Sequence, residues 1–241
     1  MGLFNRLSRY INGDTQLIVL DLKDLVTFLS QLPPATAVSI FFVTGSILAL
    51  IRDWRVSIVT LLIQYLALGM TLIHLVRPEI AVAKVLVGVI ICPMLYLSAR
   101  QASWRRRLTR IHDQFRPVVG RRTLANDVFP SGRSFRLIAV LLLAVVTFSL
   151  ARSYPLSALP SVVSIAIYWL VLVGLFVLML TEEPLKIGQG LLTALTGFEL
   201  WYTTLEARLV LVGMWGAINL LLALVIGYLT VARAVNLEED F

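Results

Sequence analysis

SVVSIAIYWLVLVGLFVLML, residues Ser161 to Leu180, runs for twenty positions without a charged side chain. At 1.5 Å per residue a helix of that length reaches about 30 Å, the thickness of the hydrocarbon core of a bilayer. Six more apolar stretches of similar length flank it, over residues 35–51, 56–76, 80–98, 137–154, 187–204 and 208–231. The breaks between them have physical causes. Pro33-Pro34 opens the first stretch, Arg52-Asp53-Trp54-Arg55 ends it, and Arg77-Pro78-Glu79 divides the second from the third. Pro155, Pro160 and Pro184 interrupt the later ones. Trp54, Trp104 and Tyr154 stand at predicted ends, where amphipathic rings favour the membrane interface. The whole composition agrees: 59% hydrophobic and 15% charged residues with a mean hydropathy of +0.87 exclude a water-soluble domain, for which roughly 45–50% apolar residues is usual. The expected fold is all-α, a polytopic integral membrane protein with about seven transmembrane helices.

The formal charge of +7 is concentrated in one place. Residues 99–136 contain ten Arg and two Asp, a net of +8, so the rest of the chain sums to −1. Arginines in a loop between spans are retained on the cytoplasmic side. That loop is therefore expected inside, which puts residues 77–79 and Glu206 outside, residues 181–186 and the acidic tail at 233–241 inside, and the N terminus outside. The clusters Arg105-Arg106-Arg107 and Arg121-Arg122 suit lipid headgroups or an acidic cytoplasmic subunit, or act as a topology signal alone. Pro117, Gly120 and the stretch 130–132 argue against one continuous helix through the loop. Confinement of the charge to a loop between spans removes the case for nucleic acid as a partner.

Residues 1–34 precede the first span. Within them Ile18, Leu22, Leu25, Leu29 and Leu32 recur at helical spacing, interrupted by Asp21, Lys23 and Asp24. The pattern predicts an amphipathic helix on the membrane surface or against a partner. Two Asp to one Lys on its polar face favour a protein partner over anionic lipid.

Charges inside spans are rare and mark function or tight structure. Glu199 falls near the middle of the sixth stretch or slightly past it. It reads either as a protonatable group on an ion path or as a hydrogen-bonded carboxyl that ties helices together. Lys84 lies only four residues into the third stretch, so its plainer reading is a stem snorkelling to the outer interface or pairing with Glu79. Gln64 and Asn219 are central amides that suit hydrogen bonds between helices. His74 is placed at an interface and Glu206 at the outer end, beside Arg208. Gly190, Ala194 and Gly197 form a small-residue stripe that permits close helix approach. The lone cysteine, Cys92, reads as a small core residue, and neither it nor His74 and His112 make a metal site. No nucleophile-and-base arrangement, phosphate-binding glycine loop or cofactor motif is present, so no catalytic residue is expected.

Two stretches resemble a known family. QYLALGMTLIHLV from Gln64, followed by RPEIAVAKVLVGVIICPMLYLSAR to Arg100, is similar to the E-type membrane subunit of hydrogenase-4, one of the group 4 NiFe hydrogenases related to complex I. There a glutamine-bearing helix precedes one with a lysine in a T-K-V-L-like sequence and an A-R ending, the places of Lys84 and Arg100 here. From Tyr168 to Tyr228, within a K-subunit-like part at 161–232, the resemblance shifts to the small K-type subunit of complex I. GLLTALTGFELWYTTLEARLVLVGMWGAINLLLALVIGYL looks like its second and third helices, with Glu199 as the membrane glutamate. The sequence departs from that pattern in carrying Trp215 in place of a second glutamate, in its longer basic loop and in residues 1–34.

The resemblance implies a non-redox subunit in the cytoplasmic (inner) membrane of a prokaryote, beside antiporter-like membrane subunits and peripheral cytoplasmic ones. Glu199 would then take part in proton or sodium translocation and Lys84 would interact with it or with a neighbouring subunit. No cofactor would be bound by this chain, the redox centres residing in partner subunits. An architectural subunit of a respiratory or photosynthetic complex that moves no ion is the alternative, and an independent transporter a third reading.

Overall fold

The computed structural model describes residues 34–51, 53–113, 133–156, 159–206 and 208–239. The segment expected as an amphipathic helix, together with Arg121, Arg122, Pro117 and Gly120, lies outside the described residues. Within them the chain is all-helical. The seven helices are α1 (Pro34–Leu50), α2 (Trp54–Leu75), α3 (Pro78–Asp113), α4 (Arg133–Ser153), α5 (Ser161–Leu180), α6 (Pro184–Leu205) and α7 (Leu209–Glu239). Five of them are long and apolar enough to cross a membrane, namely α2, α3, α4, α5 and α7. α1 is shorter, at 17 residues. α6 has the length, 22 residues, but carries too many polar groups.

The helix boundaries follow the sequence signals to within about four residues, α4 and α6 each starting about a turn early, with two larger differences. α3 and α7 run well past residues 98 and 231, where the apolar stretches end. Falling hydropathy at those points marks the exit from hydrocarbon, whereas the backbone stays helical while Arg, Gln, Ala and Leu continue and no Gly or Pro intervenes. Thus 99–113, expected as loop, is the last part of a helix about 54 Å long. Most of the expected tail, 233–239, is likewise helical. Arg105, Arg106 and Arg107 stand on that outer part of α3, and Trp104 just before them is 67% exposed. Pro93 interrupts the hydrogen-bond ladder within α3 from its exposed side.

α2, α5 and α6 form the middle of the bundle. α2 packs on α1, α3 and α6, while α5 packs on α1, α4 and α6, and α7 closes against α3 and α6. Close approach is set by glycine. A Cβ on Gly174 would stand 2.5 Å from the backbone nitrogen of Ala194 and 2.6 Å from the carbonyl of Gly190, so the predicted small-residue stripe of α6 does lie against α5. Across the α1–α5 seam Trp169 stacks on Phe42 at 4.5 Å and donates its indole N–H to the Phe41 carbonyl at 3.0 Å, in space left by Gly45. Cys92 is buried in this core, as expected of a small apolar residue. Leu137, Ile138, Leu141, Leu142 and Val145 of α4 face outward, as do Leu221, Leu224 and Tyr228 of α7. That apolar exterior suits contact with lipid.

Candidate functional site

α6 explains its own polarity. Lys186, Gln189, Thr193, Thr196, Glu199 and Thr203 recur at spacings of three and four, which keeps them on one side of a helix. All six are buried. This polar side is turned inward, and α2, α5 and α7 pack against the helix.

Glu199 is the centre of this stripe. Its carboxylate pairs with the Lys84 ammonium at 2.9 Å, and both side chains are 1% exposed. The same oxygen accepts a hydrogen bond from the Asn219 amide at 2.9 Å. Lys84 therefore neither snorkels to an interface nor pairs with Glu79, which is exposed. The reason is geometric. α3 packs chiefly on α2 and α7, and the long apolar stem of Lys84 carries its charge past them to α6. By helical rise the lysine stands about 9 Å from the start of α3 and the glutamate about 9 Å from the end of α6. The two lie at matching depth.

Each charge alone would cost about 2.5–3.5 kcal/mol or more at membrane depth, so pairing is the condition for keeping either. A buried pair recovers its desolvation only when hydrogen bonds satisfy its remaining atoms. That condition is only partly met. Glu199 Oε2 and Asn219 Oδ1 make no hydrogen bond among the described residues.

A second polar contact adjoins the first. Thr193 donates its hydroxyl to the Gln64 side-chain oxygen at 3.2 Å, tying α6 to α2 as expected of a central amide. Tyr65, next to Gln64, is 1% exposed, and its hydroxyl lies beside Thr196 and within the field of Glu199. Gly88, one turn from Lys84 on α3, makes room for the ring: a Cβ there would come within 2.5 Å of it. Four helices thus converge, α2 with Gln64 and Tyr65, α3 with Lys84, α6 with Thr193, Thr196 and Glu199, and α7 with Asn219.

At the opposite end of the stripe Lys186 is 2% exposed and donates to the Ile51 carbonyl at the C-terminal end of α1, where a cation complements the helix dipole. Apolar spacing alone puts this lysine in a solvated connection. It is instead a buried residue of α6, because Pro184 starts the helix one turn earlier than the apolar stretch does.

The remaining candidates stay apart from the site. His74 is exposed near the end of α2. Glu206 follows the end of α6 and pairs at 3.0 Å with Arg208, which is 77% exposed. Trp215 packs within an aromatic cluster with Phe198 and Tyr202, at centroid distances of 5.4 and 6.1 Å. Among the described residues no group of His, Cys, Asp and Glu could hold a metal ion.

Tyr65, Gln189, Thr193, Thr196 and Lys186 do not stand out in the sequence when polar residues are weighed singly. The periodicity of the polar positions in 186–203 is the signal that marks four of them. No protein family, curated protein or solved structure matches the chain.

Proposed function

We propose that the chain is a non-redox membrane subunit of a complex I-like or group 4 hydrogenase-like assembly and contributes to ion translocation through Glu199. The observation that carries this reading is the buried Lys84–Glu199–Asn219 constellation, held where helices from both halves of the chain meet. The resemblance of residues 64–100 and 168–228 to subunits of such assemblies supports it from a separate direction.

A proton is the better-supported ion. The Lys84 ammonium holds Oε1 at 2.9 Å and repels a second cation placed beside it, whereas a proton can add to Oε2 and neutralise the carboxylate. A proton arriving on Glu199 neutralises the carboxylate and releases Lys84. Its departure restores the pair, so each transfer is coupled to a change in what the lysine faces. In this reading the arginine-rich side is cytoplasmic, antiporter-like subunits flank the bundle, and redox cofactors reside in other subunits.

The test is Glu199→Gln in the native assembly, purified through a tag on this chain and reconstituted in vesicles. Redox-driven proton uptake is expected to fall severalfold while subunit composition is retained. An architectural role is the second reading, favoured by the two helices that hold one oxygen of Glu199 at once. Normal pumping by Glu199→Gln, with loss of assembly when the chain is deleted, selects that role and overturns the first.

A further inference from the structure

The stripe on α6 continues beyond the groups that explain Glu199. Between Gln189 and Glu199 it covers ten residues, about 15 Å of helix. Gln189 is 0% exposed, and both its amide nitrogen and its oxygen lack a hydrogen bond among the described residues. The same holds for the amide nitrogen of Gln64, for Glu199 Oε2 and for Asn219 Oδ1. Three of these five atoms are acceptors and two are amide donors; Gln189 and Glu199 stand on the buried side of α6, Gln64 on α2 and Asn219 on α7, and both of those helices pack on α6. Lipid can satisfy none of them. Buried polar groups in folded proteins are satisfied by protein or by ordered water, each water typically bonding about three of them.

We propose that a file of ordered water runs along α6 from Gln189, past Thr193 with Gln64 and Thr196 with Tyr65, to Glu199, and delivers protons to that carboxylate from the Pro184 end of the helix. The delivery rests on the proposed role of Glu199, whereas the hydration of the seam does not. The side chains between Gln189 and Glu199 suit proton transfer, because hydroxyls and amides each offer both a donor and an acceptor, and the Lys186 ammonium one turn before Gln189 is held on the Ile51 carbonyl at the mouth of the file. Thr193, Thr196 and Gln189 position the water and do not themselves react.

Radiolytic hydroxyl labelling of the full chain tests the hydration. The radical forms from water where it sits, so a buried ring is labelled only if water is beside it. Tyr65 and Trp169 are both 1% exposed, but Trp169 has its N–H satisfied by the Phe41 carbonyl in an apolar seam. Labelling of Tyr65 without labelling of the intrinsically more reactive Trp169 is expected. An unlabelled Tyr65 overturns the file.

Gln189→Leu and the smaller change Thr193→Val test the delivery, in assemblies whose buried Cys92 remains protected from thiol reagents as proof of folding. Proton uptake should fall severalfold in both variants, and Tyr65 labelling should fall with it. Labelled Tyr65 with unimpaired uptake in both variants overturns the delivery and leaves Glu199 in its proposed role. Unimpaired uptake in Glu199→Gln removes that role itself, and the labelling result is independent of it.

Discussion

Replacing Lys84 by Met keeps the stem of the side chain and deletes its charge. Glu199 then keeps the Asn219 hydrogen bond at 2.9 Å but loses the ammonium at the same distance, in a place where neither group was more than 1% exposed. Removing one partner of a buried ion pair costs about 3–5 kcal/mol, because the survivor stays desolvated. For a chain of this size each kcal/mol moves the melting temperature by about 2–4 °C, so Lys84→Met should lower it by roughly 6–20 °C. The double variant Lys84→Met with Glu199→Gln removes both charges and should recover most of the loss. The chain supplies its own assay. Cys92 is the one cysteine in the sequence and is buried, so a thiol-activated fluorophore in detergent reports unfolding with no engineered thiol. A single variant that melts with the wild type, or a double variant no more stable than Lys84→Met, would refute the coupling of the two charges.

Smaller and larger perturbations bracket this one. Gln64→Leu removes the acceptor of Thr193 at 3.2 Å, an interhelical bond of about 0.6 kcal/mol, and the same melting assay should register a loss of only about 1–2 °C. Gly174→Leu sets a side chain against the backbone of Gly190 and Ala194, which cannot give way, and should abolish recovery of folded chain in size-exclusion chromatography. Gly213→Ala meets nothing within 4 Å and should match or slightly exceed the wild type in stability, by up to about 1 kcal/mol. In a Cys92→Ala background in intact cells, an impermeant maleimide should label Glu206→Cys and spare Thr181→Cys; the reverse pattern inverts the proposed orientation.

The architecture is readable because hydrocarbon imposes a single length scale on the chain, and residues 161–180 meet it without ambiguity. Helix ends are less readable at residues 98 and 231, since apolarity reports the membrane boundary and the backbone follows its own propensities beyond it. Glu199, Gln64 and Asn219 stand out as polar groups within apolar runs. Which way they face does not, because helices that are apolar all round have no preferred side to read. Lys84 is harder still. Its position four residues inside the third stretch is compatible with an interface, and only the packing of α3 against α7 determines where the stem leads. The stripe on α6 is present in the spacing of six residues but becomes a feature only when polar positions are counted as a pattern.

The polarity of α6 also bears on how the chain enters the membrane. A helix carrying Glu199 among glutamine and threonines partitions poorly into lipid, since each Leu or Phe returns only about 0.3–0.6 kcal/mol against the cost of the carboxylate. Translation places α2 and α3 in the bilayer before α6, with Gln64, Tyr65 and Lys84 already presented. α5, apolar throughout, precedes α6 directly and receives it through Gly174. The polar helix thus arrives at a surface prepared for it, and Asn219 follows last, on α7, to complete the hold on the carboxylate. A nascent chain released before α7 would leave that carboxylate with Lys84 alone, without the amide that shares its hold on the same oxygen.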